Sequence, residues 1–139
     1  MDPERISLSD INWPDQDLNV FLRSWQEGKT NRNLKLADLR TNSERDVKEV
    51  LKGCGGRLMD PRNTKFKFRD SNKWIYGGIH IRRKDGRLAV IQNNGFYYFD
   101  ENQVVSRRQV EEYVDRWRKW NSEERSNTWY GEMFIVYIF

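Results

Sequence analysis

His80 is the only histidine in the 139-residue chain. Its ring titrates near neutral pH, so it could act as a general base. Lys73, Tyr76 and Arg82 stand near it in sequence and could stabilise a phosphorane-like transition state. That set is the minimum for a small ribonuclease. A single imidazole excludes two-histidine metal sites and two-histidine ribonuclease chemistry. Cys54 lies in Gly53-Cys54-Gly55-Gly56, a run that ends a helical segment. The negative end of a helix dipole raises a thiol pKa, so a catalytic thiolate is not expected there. Asp60, Asp70, Asp85 and Asp100 are scattered at turns without the spacing of a metal pair. The chain has no CxxC, HExxH, GxSxG or phosphate-binding glycine loop. No metal and no cofactor is expected.

Charge gives the stronger signal. Residues 57–87 hold ten Lys and Arg against three Asp, a net of +7. Residues 1–56 net −1 and residues 88–139 net −2, so the overall +4 originates in this block. Phe66, Phe68, Trp74 and Tyr76 are interleaved with the cations. Basic side chains attract phosphates and aromatic rings stack bases. The expected nucleic-acid contacts are Arg62, Lys65, Lys67, Arg69, Lys73, Trp74, Tyr76, His80, Arg82, Arg83, Lys84 and Arg87. Cations also blunt exposed strand edges, and aromatics also form second core layers.

The elements that carry these residues follow from periodicity. Leu18, Phe21, Leu22 and Trp25 share one face of a helix over Pro14–Glu27. Residues 34–37 read as a short strand or an extended link. A second helix is expected after Ser43, with Ser43 and Asp46 as a capping box and the glycine run as its end. The period then changes to two. Lys65–Arg69 alternates as a half-buried strand, Asp70-Ser71-Asn72 is a turn, and Lys73–Arg83 is a longer strand with a possible bulge at Gly77-Gly78. Asp85-Gly86 and Asn94-Gly95 read as two-residue hairpin loops joining strands at 87–93 and 96–99.

With those loops, Ile75, Ile79, Ile81, Leu88, Val90, Tyr97 and Phe99 form a core face. Trp74, Tyr76, His80, Arg82, Ala89, Ile91, Phe96 and Tyr98 form a ligand face like that of single-strand RNA binders. Ser106 and Gln109 cap a third helix with the stripe Val110, Tyr113, Val114, Trp117 and Trp120. The apolar run ending in Phe139 reads as a buried strand inserted beside the meander.

The expected fold is therefore a single α+β domain over residues 1–139. A helical part (1–56) precedes a basic antiparallel meander (57–99) and a helix with a terminal strand (100–139). The meander forms a sheet of about four to six strands, packed on two N-terminal helices and one long helix. Aromatic content of 14 % supplies a core despite 33 % charged residues. The lone cysteine points to a reducing, cytoplasmic setting, and no signal peptide is visible. The apolar run Met133–Phe139 is far short of the ~20 residues of a membrane helix.

Ser43–Arg69, with its capped helix, Gly55-Gly56, Leu58 and the strand Thr64–Phe68, resembles the helix-strand-strand core of HicA-type toxins. The resemblance covers 27 residues. Thr64-Lys65-Phe66 stands where that family has its histidine motif. The resemblance implies RNA contact without that family's catalysis.

The leading expectation is a non-enzymatic nucleic-acid-binding protein using residues 57–87, RNA or DNA. The alternative is a protein-interaction regulator or inhibitor that docks on an acidic or nucleoprotein partner, for example one of viral or mobile-element origin. The third reading is a small ribonuclease with His80 as base. No membrane partner is expected, and a dimer is compatible with the sequence.

Overall fold

The computed structural model describes residues 3–11, 13–41, 44–93, 97–122, 128–129 and 133–139. In chain order the elements are β1 (Arg5–Ile11), α1 (Asp15–Gln26), β2 (Leu36–Thr41), β3 (Arg45–Asp46), α2 (Val47–Val50), β4 (Arg57–Met59), β5 (Lys65–Lys67), β6 (Trp74–Tyr76), β7 (Gly78–Arg82), β8 (Leu88–Gln92), α3 (Arg107–Asn121), β9 (Thr128–Trp129) and β10 (Met133–Ile138). The expected α+β class is borne out. The main sheet has six strands in the order β1-β2-β10-β8-β7-β4. It is mixed, because β1 runs parallel to β2 while every other pair is antiparallel. A parallel pair needs a long crossover, and α1 supplies it.

The terminal apolar run lies inside the sheet. Val136 faces Ala37 of β2 on one side and Ile91 of β8 on the other. Phe134, Val136 and Ile138 point to the helices; Ile135 and Tyr137 point to the other face, and all five are buried. A strand covered on both faces reads as continuous apolar sequence, which is why this run does not alternate.

On the helical face, Leu18, Leu22 and Trp25 of α1 and Val47 and Val50 of α2 meet Ile79, Ile81, Ala89 and Ile91. Asp15 and Asp17 sit in the first turn of α1, where the dipole favours them. The helix α2 begins later than the capping-box reading requires. Asp46 is itself the N-cap, its carboxylate accepting from the amides of Lys48 (3.1 Å) and Glu49 (3.4 Å). Only one turn of helix follows before the chain reaches Gly53. Ser43 lies outside the described residues. In α3 Ser106 caps as expected, accepting from the amide of Gln109 at 3.1 Å. Its apolar stripe is half-buried, with Trp117 50 % exposed. No described helix is long and apolar enough to cross a membrane.

The expected meander is divided. Gly77 and Gly78, at φ +70° and +80°, break the strand expected over Lys73–Arg83. Its first part, β6, pairs with β5 as a separate hairpin, Phe66 opposite Ile75. Its second part, β7, joins the main sheet. That hairpin lies on the sheet face opposite the helices, where Phe68 and Ile75 pack on Leu88, Val90, Ile135 and Tyr137. Tyr98 adds an isolated bridge to Trp74. The Asn94-Gly95 turn and Phe96 lie outside the described residues.

The register of β7 on β8 also differs by one residue. Ile81 faces Ala89 and Arg82 faces Leu88. The amide of Arg83 donates to the carbonyl of Arg87, and that of Gly86 to the carbonyl of Arg83, both at 2.8 Å. The loop is therefore the three residues Lys84-Asp85-Gly86, with Gly86 at φ +92°. One extra loop residue moves Ala89 and Ile91 to the core face and Leu88 and Val90 to the face of His80 and Arg82.

Two measurements check this packing. Phe134→Ala should lower the unfolding free energy in urea by about 3–5 kcal/mol, because it hollows the sheet-helix interface. Gly78→Ala would put a Cβ 2.7 Å from Val90 Cγ1 and 2.9 Å from the Ile91 carbonyl. Clash and left-handed backbone together should cost about 2–5 kcal/mol. Gly28→Ala, also at positive φ but in open space, should cost only about 1–2 kcal/mol. Equal effects at the two glycines would contradict the close approach of β7 to β8.

Candidate functional site

The structure separates the twelve residues of the expected nucleic-acid surface into three groups. The first is structural. Tyr76 is buried and stacks on Tyr98 with centroids 4.2 Å apart. Its hydroxyl lies 2.9–3.1 Å from the carbonyl oxygens of Asp100, Glu101 and Gln103. Trp74 is half-buried, its backbone paired with Tyr98. Arg83 forks onto Asp85 at 2.6 and 2.9 Å and donates to the Arg32 carbonyl at 2.8 Å. Its guanidinium lies over the Trp25 ring, fastening the β7–β8 loop to α1. Arg62 pairs with Asp60 at 2.8 Å, which holds that carboxyl below its ordinary pKa. Lys65 donates to the Glu101 carbonyl. Lys84 of the loop and Lys67 of β5 are exposed and stand apart from these structural contacts.

The second group converges. Arg69 donates to the Ile138 carbonyl (2.7 Å), Arg87 to the Phe139 carbonyl (3.1 Å) and Arg82 to the Gly86 carbonyl (2.8 Å). Beside them the Phe66 ring meets Phe139 at 5.9 Å and His80 at 5.6 Å. Burial holds the His80 pKa below 6.5, and Arg82 and Arg57 add repulsion. Its Nε2 is 3.2 Å from the Gly77 carbonyl. Burial likewise pushes the Cys54 thiol up to about 11.

Lys73 stands alone from its block and belongs to a different feature. The β5–β6 hairpin covers only part of its sheet face. Over β1, β2 and β10 a groove of about 280 Å³ stays open. Its cations are Arg5 on β1, Arg40 on β2 and Lys73, whose ammonium lies 4.7 Å from the Tyr97 ring centre. Asp38 is the one carboxylate in the lining. Its Oδ1 is buried without a hydrogen-bond donor, and the nearest cation is Arg40 Nε at 3.6 Å. Burial, with Asp38 adding to it, pushes the Tyr137 phenol up to about 12. Tyr97 meets Phe99 edge-on at 5.3 Å, and the two are 40 % and 61 % exposed. The groove thus joins cations to open aromatic surface.

Sequence reasoning found Lys73 and missed Arg5, Asp38, Arg40, Tyr97 and Tyr137 as a group. The available signal was alternation in Arg5-Ile6-Ser7-Leu8 and in Leu36–Arg40, which puts Arg5, Asp38 and Arg40 on one face. Residues 1–39 match the F-box associated family, 39 of the 139 residues. The matched stretch folds as β1, α1 and the first part of β2, and contributes Arg5 and Asp38 to the groove. No curated protein and no solved structure matches the chain.

His80 gives a titration that can be followed alone. Its ring proton signals should titrate with a midpoint below 6.5 in the folded chain. The unfolded state then binds the extra proton first, so stability is full above pH 6.5 and falls as pH drops through that value toward the folded pKa. His80→Gln should remove this slope in thermal melts between about pH 7.5 and 5.5, above the carboxylate range. A midpoint above 6.5 would mean that the imidazolium has a partner.

Proposed function

We propose that this chain is a non-enzymatic protein-interaction module of F-box associated type, which holds a protein partner in the groove over β1, β2 and β10. The observation that carries this reading is the partly uncovered sheet face. Its apolar floor, exposed Tyr97 and Phe99, and rim of cations combine the features of a recognition surface. The family match supports it, because Arg5, Leu36 and Asp38 of the groove fall within residues 1–39. A catalytic role has less support. The imidazole of His80 is held by a backbone carbonyl and an aromatic ring, and the Cys54 thiol is buried.

A second reading rests on a different observation. Arg69, Arg82 and Arg87 converge beside the Phe66 and Phe139 rings. That patch suits phosphates with an adjacent stacked base. Here the nucleic acid would bind at the β7–β8 end of the sheet.

The two readings separate in one experiment. The tagged 139-residue chain is used to recover partners from nuclease-treated extract, with quantitative mass spectrometry. The groove variant Arg5→Glu/Arg40→Glu/Tyr97→Ala should lose its partners by about tenfold or more, while Arg82→Gln/Arg87→Gln keeps them. Loss on nuclease treatment, or in the Arg82/Arg87 variant alone, would transfer the function to the patch. In that case log K against log salt should flatten by roughly 0.7–0.9 for each phosphate contact removed.

A further inference from the structure

Resting on the groove reading, we propose that the partner presents an extended segment, acidic on one face and apolar on the other, that pairs with the outer edge of β1 as a seventh strand. The first argument is backbone chemistry. β1 is the edge of the main sheet, and among the described residues no strand pairs with its outer side. Arg5, Ser7, Leu8 and Ser9 are exposed. An edge strand offers unpaired amides and carbonyls that an extended peptide can complete. The regular part of the edge runs from Arg5 to Leu8, because the register with β2 shifts between Leu8 and Ile11. Four residues of continuous pairing suit a short segment.

The second argument is the chemistry of the two faces. Arg5 pairs with Leu36 and Ser7 with Asp38, so Arg5 and Ser7 share the groove face with Arg40. A side chain on an added strand would lie about 4.5–5.5 Å from its β1 neighbour, measured between Cβ atoms. Carboxylates there meet Arg5 directly and come toward Arg40 and Lys73. Three cations against the single carboxylate of Asp38 favour acids and repel a basic segment. On the helical face β1 presents Ile6, half-buried against the core, and Leu8, 37 % exposed. Alternate residues of the added strand would cover them, so apolar side chains belong at those positions. Acidic and apolar residues must then alternate with period two.

The test uses the 139-residue chain and fluorescein-labelled octapeptides read by anisotropy. The probes are alternating Glu-Val, alternating Lys-Val, and Glu-Val with alternate backbone nitrogens methylated. Glu-Val should bind, and Arg5→Glu/Arg40→Glu should weaken it by about tenfold or more. Lys-Val should bind only that charge-reversed variant. The methylated peptide should fail, since it keeps the side chains and loses the ladder donors. Variant melting curves confirm folding, and charge reversal that gains Lys-Val binding is itself proof of a folded groove. Equal binding of Glu-Val and Lys-Val, no binding up to ~1 mM, or indifference to methylation would overturn strand addition. Self-association lost in Leu8→Lys would overturn it too, because the edge would then belong to a second copy. Partner recovery that still depends on the groove while every peptide fails would retain the interaction module without strand addition. Recovery that ignores the groove would remove both.

Discussion

The insertion of β10 between β2 and β8 is the constraint on which the rest of the fold depends. It is the one strand that joins the N-terminal unit, β1-α1-β2, to the strands of the basic block. Elsewhere the two parts meet through the contacts of α1 and α2 and through the Arg83 bond to the Arg32 carbonyl. Its side chains fill both layers, Phe134, Val136 and Ile138 toward the helices and Ile135 and Tyr137 toward the hairpin. The chain must therefore close long loops before this strand can contribute, and folding should be dominated by non-local pairing. Two of its flanking carbonyls, those of Ile138 and Phe139, are held by Arg69 and Arg87. Some of the basic charge thus fixes the end of the strand that the sheet needs most.

A buried polar network completes the other side. Gln92 and Gln109 both donate to the Tyr76 carbonyl, at 2.9 and 3.0 Å. Tyr98 donates to Gln109 at 2.6 Å, and its oxygen accepts from the Ser106 amide at 2.9 Å. These bonds join β6, β8, the 97–106 segment and the start of α3. They satisfy polar groups that would be costly if left alone in the interior. They also explain how α3 docks although Gln109 is its only fully buried residue. The helix is held at its N-terminal turn by these bonds, and at its other end by Trp120 against the core and by Lys48 on the Ser122 carbonyl.

Much of the fold was legible because local signals agreed with the global packing. The apolar face of α1, the capping box at Ser106, the alternation over Lys65–Arg69 and the buried terminal strand each carried a pattern of four or more residues. What was misread turned on single residues. A loop of three rather than two residues at Lys84-Asp85-Gly86 exchanged the faces of β8. Two adjacent glycines of positive φ sent β6 and β7 into different sheets. Neither choice is encoded in the period of the sequence, since period two is the same on both sides of a one-residue shift. β1 was missed because its alternation is short and its partner β2 is parallel, brought beside it only by α1. The candidate site was less legible than the fold, since the groove exists only where the hairpin stops covering the sheet.

Net charge located the cations without saying which of them face a partner. Within the block of +7, Arg62 and Arg83 are neutralised by Asp60 and Asp85 two residues away, and Lys65, Arg69, Arg82 and Arg87 cap carbonyls. Guanidinium suits that work, because its fan of donors can bridge a carbonyl and an acid at once. Arg5 and Arg40 lie in the stretch whose sum is −1. There the acids that balance the total, such as Asp15 and Asp46, are engaged elsewhere, one beside Arg45 and one capping α2. A segment that is neutral in sum can thus present a cationic groove, while a strongly basic segment uses much of its charge as internal fastening. What a partner meets is the charge left on one face after local pairing. On that count the sheet face over β1 and β2, where Arg5 and Lys73 remain once Arg40 is set against Asp38, is the surface we propose for recognition.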